Sequence, residues 1–323
     1  MQYVAPRWLP GGNLQTIWPA LYAHRAAGPL PAYRRERWPT PDGDFVDVDR
    51  LDAPRPDAPL LVLFHGLEGS SRSHYAEAFA AFAATRGWAF AVPHFRGCSG
   101  EINLAPRAYH SGDFEEIDWL LARFAKGQAL GAPMLAAGVS LGGNALLRWA
   151  EEAGAQAARR VRAVASVSAP LDLAAGGAAI GRGFNRLVYT RMFLATMKPK
   201  ALAKLAQHPG LFDRETLLAA RDLYAFDDVF TAPLHGFRGV DDYWSRGSSK
   251  PHLAAIRVPA LVVNARNDPF VPAQSLPDAA QAGSHVTLWQ PAHGGHVGFP
   301  LGLPPGHVRG MPERVGDWLA RQL

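Results

Sequence analysis

The chain has 323 residues, 48% of them hydrophobic and 19% charged, with a formal net charge of +5. That balance fits a globular protein with a sizeable core and excludes a disordered, low-complexity or repeat architecture. A single cysteine, Cys98, excludes an intrachain disulfide framework and fits a reducing, cytoplasmic setting.

The first stretch, MQYVAPRWLPGGNLQTIWPAL, is broken by Pro6, Pro10, Gly11 and Gly12 and lacks the basic start and continuous apolar run of a secretory signal. Two extended stretches follow, around Tyr33 to Trp38 and Phe45 to Leu51, and are expected as antiparallel strands at a sheet edge. From about residue 60 short apolar runs alternate with helical patterns. The runs are Leu60 to His65, Ala89 to His94, Met134 to Val139, Arg162 to Ala169, Ala260 to Ala265 and His285 to Gln290. Runs of this kind, bounded by Gly, Pro or polar residues, mark parallel strands covered on both faces. Between the first two, Tyr75, Phe79 and Phe82 share one helical stripe; near the end, Pro312 opens a helix striped by Val315, Trp318 and Leu319. The most apolar run, Pro59 to Leu67, is far short of the roughly 20 residues that span a bilayer as a helix.

The expected architecture is therefore α/β, with a mostly parallel sheet of about eight strands flanked by helices. The alternation lapses after Asp172, where helical, aromatic-rich sequence replaces strands. Residues 172–245 are expected to form a helical lid inserted into a core made of residues 1–171 and 246–323. The basic clusters RRER (Arg34 to Arg37) and ARRVR (Ala158 to Arg162) carry no interleaved aromatics, so they predict solvated surface and no nucleic-acid partner.

In such a sheet, reactive groups gather at the carboxyl ends of strands. Ser140 in Gly138-Val139-Ser140-Leu141-Gly142 follows one strand and precedes a helix, the position of a nucleophile on a tight turn. A serine hydroxyl needs a base. His296, in PAHGGHVGF, lies past the last strand with Gly294, Gly295 and Gly298 around it; His293 is the reserve. Asp268, in NARNDPFVP, follows the preceding strand and would orient the imidazole, with Asp172 as the rival acid. The chain order Ser140, Asp268, His296 is that of α/β-hydrolases. The oxyanion donors would be the N–H groups of Leu141 and of Leu67, in His65-Gly66-Leu67-Glu68-Gly69. His293 and His296 lack a third ligand at a recognisable spacing, so neither a metal nor any other cofactor is expected.

The segments LQTIWP, HGLEGSSRSHY, HFRGCSGEIN, YHSGD, GVSLGGNALLRW, SAPLDL, FDDVFTAPLHGF, NARNDPFVP and GGHVGF together resemble the YheT-like branch of α/β-hydrolases, a family of carboxylesterases. The resemblance covers nearly the whole chain and implies an α/β-hydrolase fold with Ser140, Asp268 and His296 as triad. Asn13 departs from it, standing where a histidine is expected before LQT. In the His94 to Glu101 loop, Arg96 is expected to bond backbone carbonyls, and Cys98 to be a packed or half-exposed thiol.

These residues predict a serine esterase acting on a small-molecule ester. Acyl transfer through the same triad is the alternative within the fold, and a non-catalytic binding protein on the hydrolase scaffold is the alternative outside catalysis. Met192, Phe193, Met197, Phe212, Tyr224, Phe226, Phe230, Phe237, Tyr243 and Trp244 supply apolar area for a pocket in the lid.

Overall fold

Strands such as LLVLF and MLAAGV are apolar at every position because both faces of the sheet are covered, and every residue of both is buried. A computed structural model describes residues 2–129 and 131–323. Its strands are β1 (Arg34–Pro39), β2 (Phe45–Leu51), β3 (Leu60–Phe64), β4 (Ala89–Pro93), β5 (Met134–Val139), β6 (Ala163–Val167), β7 (Ala260–Val263) and β8 (Val286–Trp289). They form one sheet in the order β1-β2-β4-β3-β5-β6-β7-β8. β2 pairs antiparallel with both β1 and β4, and the remaining pairings are parallel.

Four long helices flank the sheet after α1 (Gly11–Leu21): α2 (His74–Thr85), α3 (Phe114–Gly127), α4 (Leu141–Ala153) and, last in the chain, α13 (Gly310–Ala320). In α3 the helical spacing of Ile117, Leu120, Leu121 and Phe124 makes one buried stripe. That stripe joins Leu146 and Trp149 of α4 in a core cluster on one face of the sheet. Phe79 and Phe82 of α2 meet Val315 and Leu319 of α13 in the cluster on the other face. Between β6 and β7 the chain forms α5 (Leu173–Ile180), α6 (Gly183–Asn185), α7 (Arg191–Gln207), α8 (Arg214–Ala219), α9 (Leu223–Phe226), α10 (Ala232–Leu234) and α11 (Val240–Gly247). A π turn over Arg186–Thr190 joins α6 to α7. This segment has small cores of its own, one around Leu194, Leu217, Phe226 and Phe230 and one around Leu173, Val240, Tyr243 and Trp244. The short α12 (Ala279–Ala282) precedes β8. No described helix is long and apolar enough to cross a membrane.

The loop after β4 corrects one expectation. Arg96 bonds carboxylates, not backbone carbonyls: its Nη1 donates to Asp42 at 2.8 Å and Asp44 at 2.9 Å, and its Nε to Glu116 at 2.7 Å. A buried guanidinium needs charge compensation, which carbonyls do not supply. The pairing clamps this loop to the β1–β2 turn and to α3.

Asn144, one turn into α4 and fully buried, ties together three distant segments. Its amide donates to Ser111 O at 2.8 Å and Gly247 O at 2.7 Å, while its Oδ1 accepts from Ser249 N at 3.1 Å and Ser249 Oγ at 2.7 Å. Asn144→Ala would leave these groups buried without partners, at about 1–3 kcal/mol each before relaxation. We expect a loss of about 3 kcal/mol or more in urea unfolding; a loss below about 1 kcal/mol would contradict this role.

Candidate active site

The carboxyl ends of β5, β7 and β8 carry Ser140, Asp268 and His296. Ser140 has φ 54° and ψ −120°, a conformation that costs a non-glycine residue about 1–3 kcal/mol. Packing imposes it. A Cβ on Gly142 would lie 2.4 Å from His65 O and 2.5 Å from Phe64 O, so β3 and the start of α4 approach as only glycine allows. Ser140 N–H donates to Val167 O at 2.8 Å, which anchors the turn to β6.

Ser140 Oγ lies 3.0 Å from His296 Nε2, and His296 Nδ1 lies 2.9 Å from Asp268 Oδ2. The other carboxylate oxygen, Oδ1, accepts from Phe270 N at 2.8 Å and Val271 N at 3.3 Å, which fixes the orientation of Asp268. The Phe270 ring lies 4.2 Å from the imidazole. Asp172 is placed elsewhere: its Oδ1 accepts from Ala175 N at 3.0 Å and caps α5. His293 is exposed beside Asn267. Among the described residues no group of three or more His, Cys, Asp or Glu side chains is placed to hold a metal ion.

The loop bearing His296 is held by α1, a support the sequence reading left without a role. Thr16 Oγ1 accepts from His296 N at 2.8 Å, and Gln15 Oε1 accepts from Gly294 N and from Asn267 Nδ2, both at 2.9 Å. A Cβ on Gly298 would fall 1.7 Å from Gln15 O, so loop and helix meet backbone to backbone. Asn13 accepts from the Tyr189 hydroxyl at 2.9 Å, and the Tyr189 ring packs on Phe270 with centroids 4.5 Å apart. The motif LQT next to Asn13 was the available signal; its side chains reach across to the far end of the sequence, which local pattern does not reveal.

Leu67 and Leu141 border the cavity beside Ser140, and their N–H groups donate to none of the described residues. His65 is fully buried: its Nε2 accepts from Phe95 N at 3.0 Å, which leaves Nδ1 to donate to Gly66 O at 2.8 Å. Gly69 N donates to the same carbonyl at 2.9 Å. In a trans peptide the next N–H points opposite, so pinning Gly66 O aims the Leu67 N–H away from the loop interior. Burial, with His94 and Lys200 nearby, lowers the His65 pKa to about 3, and the ring stays neutral as this pair of bonds requires.

The cavity measures about 160 Å³ and is walled by Phe193, Met197, Phe226, Phe230, Tyr243 and Trp244 on the side of the helical segment. Met192 and Tyr224, expected among the pocket residues, are exposed instead, at 54% and 45%. Phe212 packs on Phe230, and Phe237 on Tyr243, outside the cavity wall. Cys98 is half-buried beside Lys200 at 3.8 Å, and burial raises its thiol pKa to about 12, so it stays protonated.

A match to the alpha/beta hydrolase fold family spans residues 59–303. The candidate esterase YheT of Escherichia coli (strain K12) is 38% identical over 100% of this chain and 94% of its own. The chain belongs to the YheT-like branch of the α/β-hydrolases. Phospholipase ABHD3 of Mus musculus is 31% identical to this YheT-like chain over 84% of it and 68% of the phospholipase. The solved esterase PF2001 of Pyrococcus furiosus superposes with a TM-score of 0.52 at 18% identity, covering 94% of this chain and 95% of that one, a likeness of fold. The protein is accordingly an esterase/lipase-type α/β-hydrolase.

One further group in the cavity wall of this YheT-like hydrolase titrates abnormally. Asp227 accepts from Thr231 Oγ1 at 2.6 Å and Trp244 Nε1 at 2.9 Å, and burial raises its pKa from 3.8 to about 6. Between those values the folded state holds a proton that the unfolded state has released, so this group's contribution to stability falls as pH rises through the interval. Asp227→Asn removes the dependence. The melting temperature of the variant minus that of the parent should therefore rise by about 3 °C from pH 4 to pH 7; a flat or falling difference would contradict the assignment.

Proposed function

We propose that this hydrolase cleaves carboxylic esters through an acyl-enzyme on Ser140. The observation that carries the reading is the unbroken hydrogen-bonded series Ser140 Oγ, His296 and Asp268 at the wall of an apolar cavity. Ser140 Oγ attacks the ester carbonyl carbon as His296 Nε2 takes its proton. Asp268 keeps the remaining N–H on Nδ1 and stabilises the imidazolium. Charge developing on the carbonyl oxygen is met by the Leu67 and Leu141 N–H groups. His296 then protonates the leaving alkoxide, and in the second half it takes a proton from the water that releases the acid. The helical segment acts as a lid whose aromatics select the substrate. The names of YheT and ABHD3 both denote ester-cleaving proteins, which supports the same reading.

An apolar space of about 160 Å³ is close to that of an engineered cavity that takes up benzene, so the favoured group is a short aliphatic or aryl one. In a p-nitrophenyl ester series from acetate to palmitate, turnover should peak among the short acyl chains. Ser140→Ala should lower kcat by at least about 10³-fold with an unchanged melting temperature, and Asp268→Asn should cost far more than Asp172→Asn. Wild-type turnover by purified Ser140→Ala would refute the nucleophile. Phe193 is half-buried, so Phe193→Ala should move the chain-length preference by tens-fold with the best rate nearly kept. Phe230 also sits in the small core with Phe226, so Phe230→Ala should in addition lower the melting temperature. Uniform loss on every ester in the Phe193 variant would remove that residue from the substrate pocket.

A further inference from the structure

No Asp or Glu occurs between Asp172 and Asp213, whereas Lys or Arg occurs six times in that stretch. Three of these six are occupied within the fold. Lys198 donates to Leu218 O and Ala220 O, Lys200 pairs with Glu68, and Lys204 is buried against Asn103 O. The other three, Arg182, Arg186 and Arg191, are exposed, and none forms an ion pair with a described residue. They flank Phe184, Leu187 and Met192, which are 51%, 65% and 54% exposed. Helix α6, the π turn and the start of α7 thus present apolar side chains and unpaired cations on one outward face. The opposite face is buried through Tyr189, Thr190 and Leu194.

Single exposed apolar residues need no explanation, but three interleaved with three uncompensated guanidinium groups do. The combination matches a helix lying in a membrane interface, with apolar side chains in the acyl boundary and arginines at anionic headgroups. The face also adjoins the cavity. Tyr189, on its inner side, packs on Phe270, and Phe193, the residue after Met192, lines the cavity. Leu14, 46% exposed on α1, extends the apolar rim next to the Asn13–Tyr189 bond.

We propose that this face docks the protein reversibly on an anionic lipid surface, with the cavity mouth turned toward the bilayer. The proposal does not depend on the chemistry assigned to Ser140. A nucleic acid would satisfy the arginines and leave the apolar residues in water, so its binding would vanish completely with salt. Lipid docking retains an apolar component that salt does not screen.

The test is co-sedimentation of the full chain with vesicles of phosphatidylcholine and phosphatidylglycerol at roughly 3:1, against vesicles of phosphatidylcholine alone. The parent should bind the anionic vesicles and leave the neutral ones. The triple variant Arg182→Gln, Arg186→Gln, Arg191→Gln should bind at least about tenfold more weakly while hydrolysing a water-soluble p-nitrophenyl ester at the parental rate. The double variant Leu187→Gln, Met192→Gln should lose the binding that survives about 0.5 M salt. Failure of the parent to bind anionic vesicles, or equal binding by the triple variant, would overturn the proposal. A concentration-dependent dimer without vesicle binding would also overturn it, assigning the face to a second copy of the chain.

Discussion

The site depends on one close backbone approach, that of the turn after β5 to the end of β3. Because Gly142 lies against the carbonyls of Phe64 and His65, the chain leaves β5 so sharply that Ser140 takes a left-handed φ. The same approach brings the Leu67 loop to the start of α4, so both N–H groups beside Ser140 derive from it. A larger residue at position 142 would displace Ser140 and the loop together. Strain of about 1–3 kcal/mol at Ser140 is held in place by the packing of Gly142 on β3 and by the bond from Ser140 N–H to Val167 O.

Around that turn, His296 is held by neighbours remote in sequence and Asp268 by its own turn. His296 is reached from α1 through Thr16 and Gln15, and its ring is backed by Phe270, which itself packs on Tyr189. Asp268 is oriented by two backbone N–H groups of its own turn. The root of the helical segment is tied to α4 by Asn144, which also grips the loop bearing Ser111. The end of the helical segment is therefore bonded to the helix that follows Ser140, while Phe193 and Phe230 of the cavity wall lie farther along that segment.

Sequence pattern carried much of this. Apolar runs marked the parallel strands, and the α/β-hydrolase architecture followed; β3, β5, β6 and β7 are buried throughout as expected of strands covered on both faces, whereas β8, at the sheet edge, exposes Thr287 and departs from that expectation. Ser140, Asp268 and His296 were nameable because each follows a strand in a fixed chain order, and the fold brings those three within hydrogen-bonding distance. Illegible were contacts that depend on tertiary closure: Gln15 and Thr16 against the histidine loop, Asn144 across three segments, and the carboxylate partners of Arg96. Met192 and Tyr224 were misplaced because aromatic or thioether character in a helix does not say which face is outward. The acid-free stretch after Asp172 was legible, but its meaning needed exposure and pairing, which only the three-dimensional arrangement supplies.

The central claim is that Ser140 forms a covalent acyl intermediate. It is tested most directly by mixing the protein with p-nitrophenyl acetate, quenching in acid within the first turnover and mapping the acetyl group by peptide mass spectrometry. A burst of one p-nitrophenol per chain, with the acetyl group on Ser140 and on no other residue, is the result the account predicts. Turnover with no adduct on Ser140, or with the acetyl group on a different nucleophile, would contradict it.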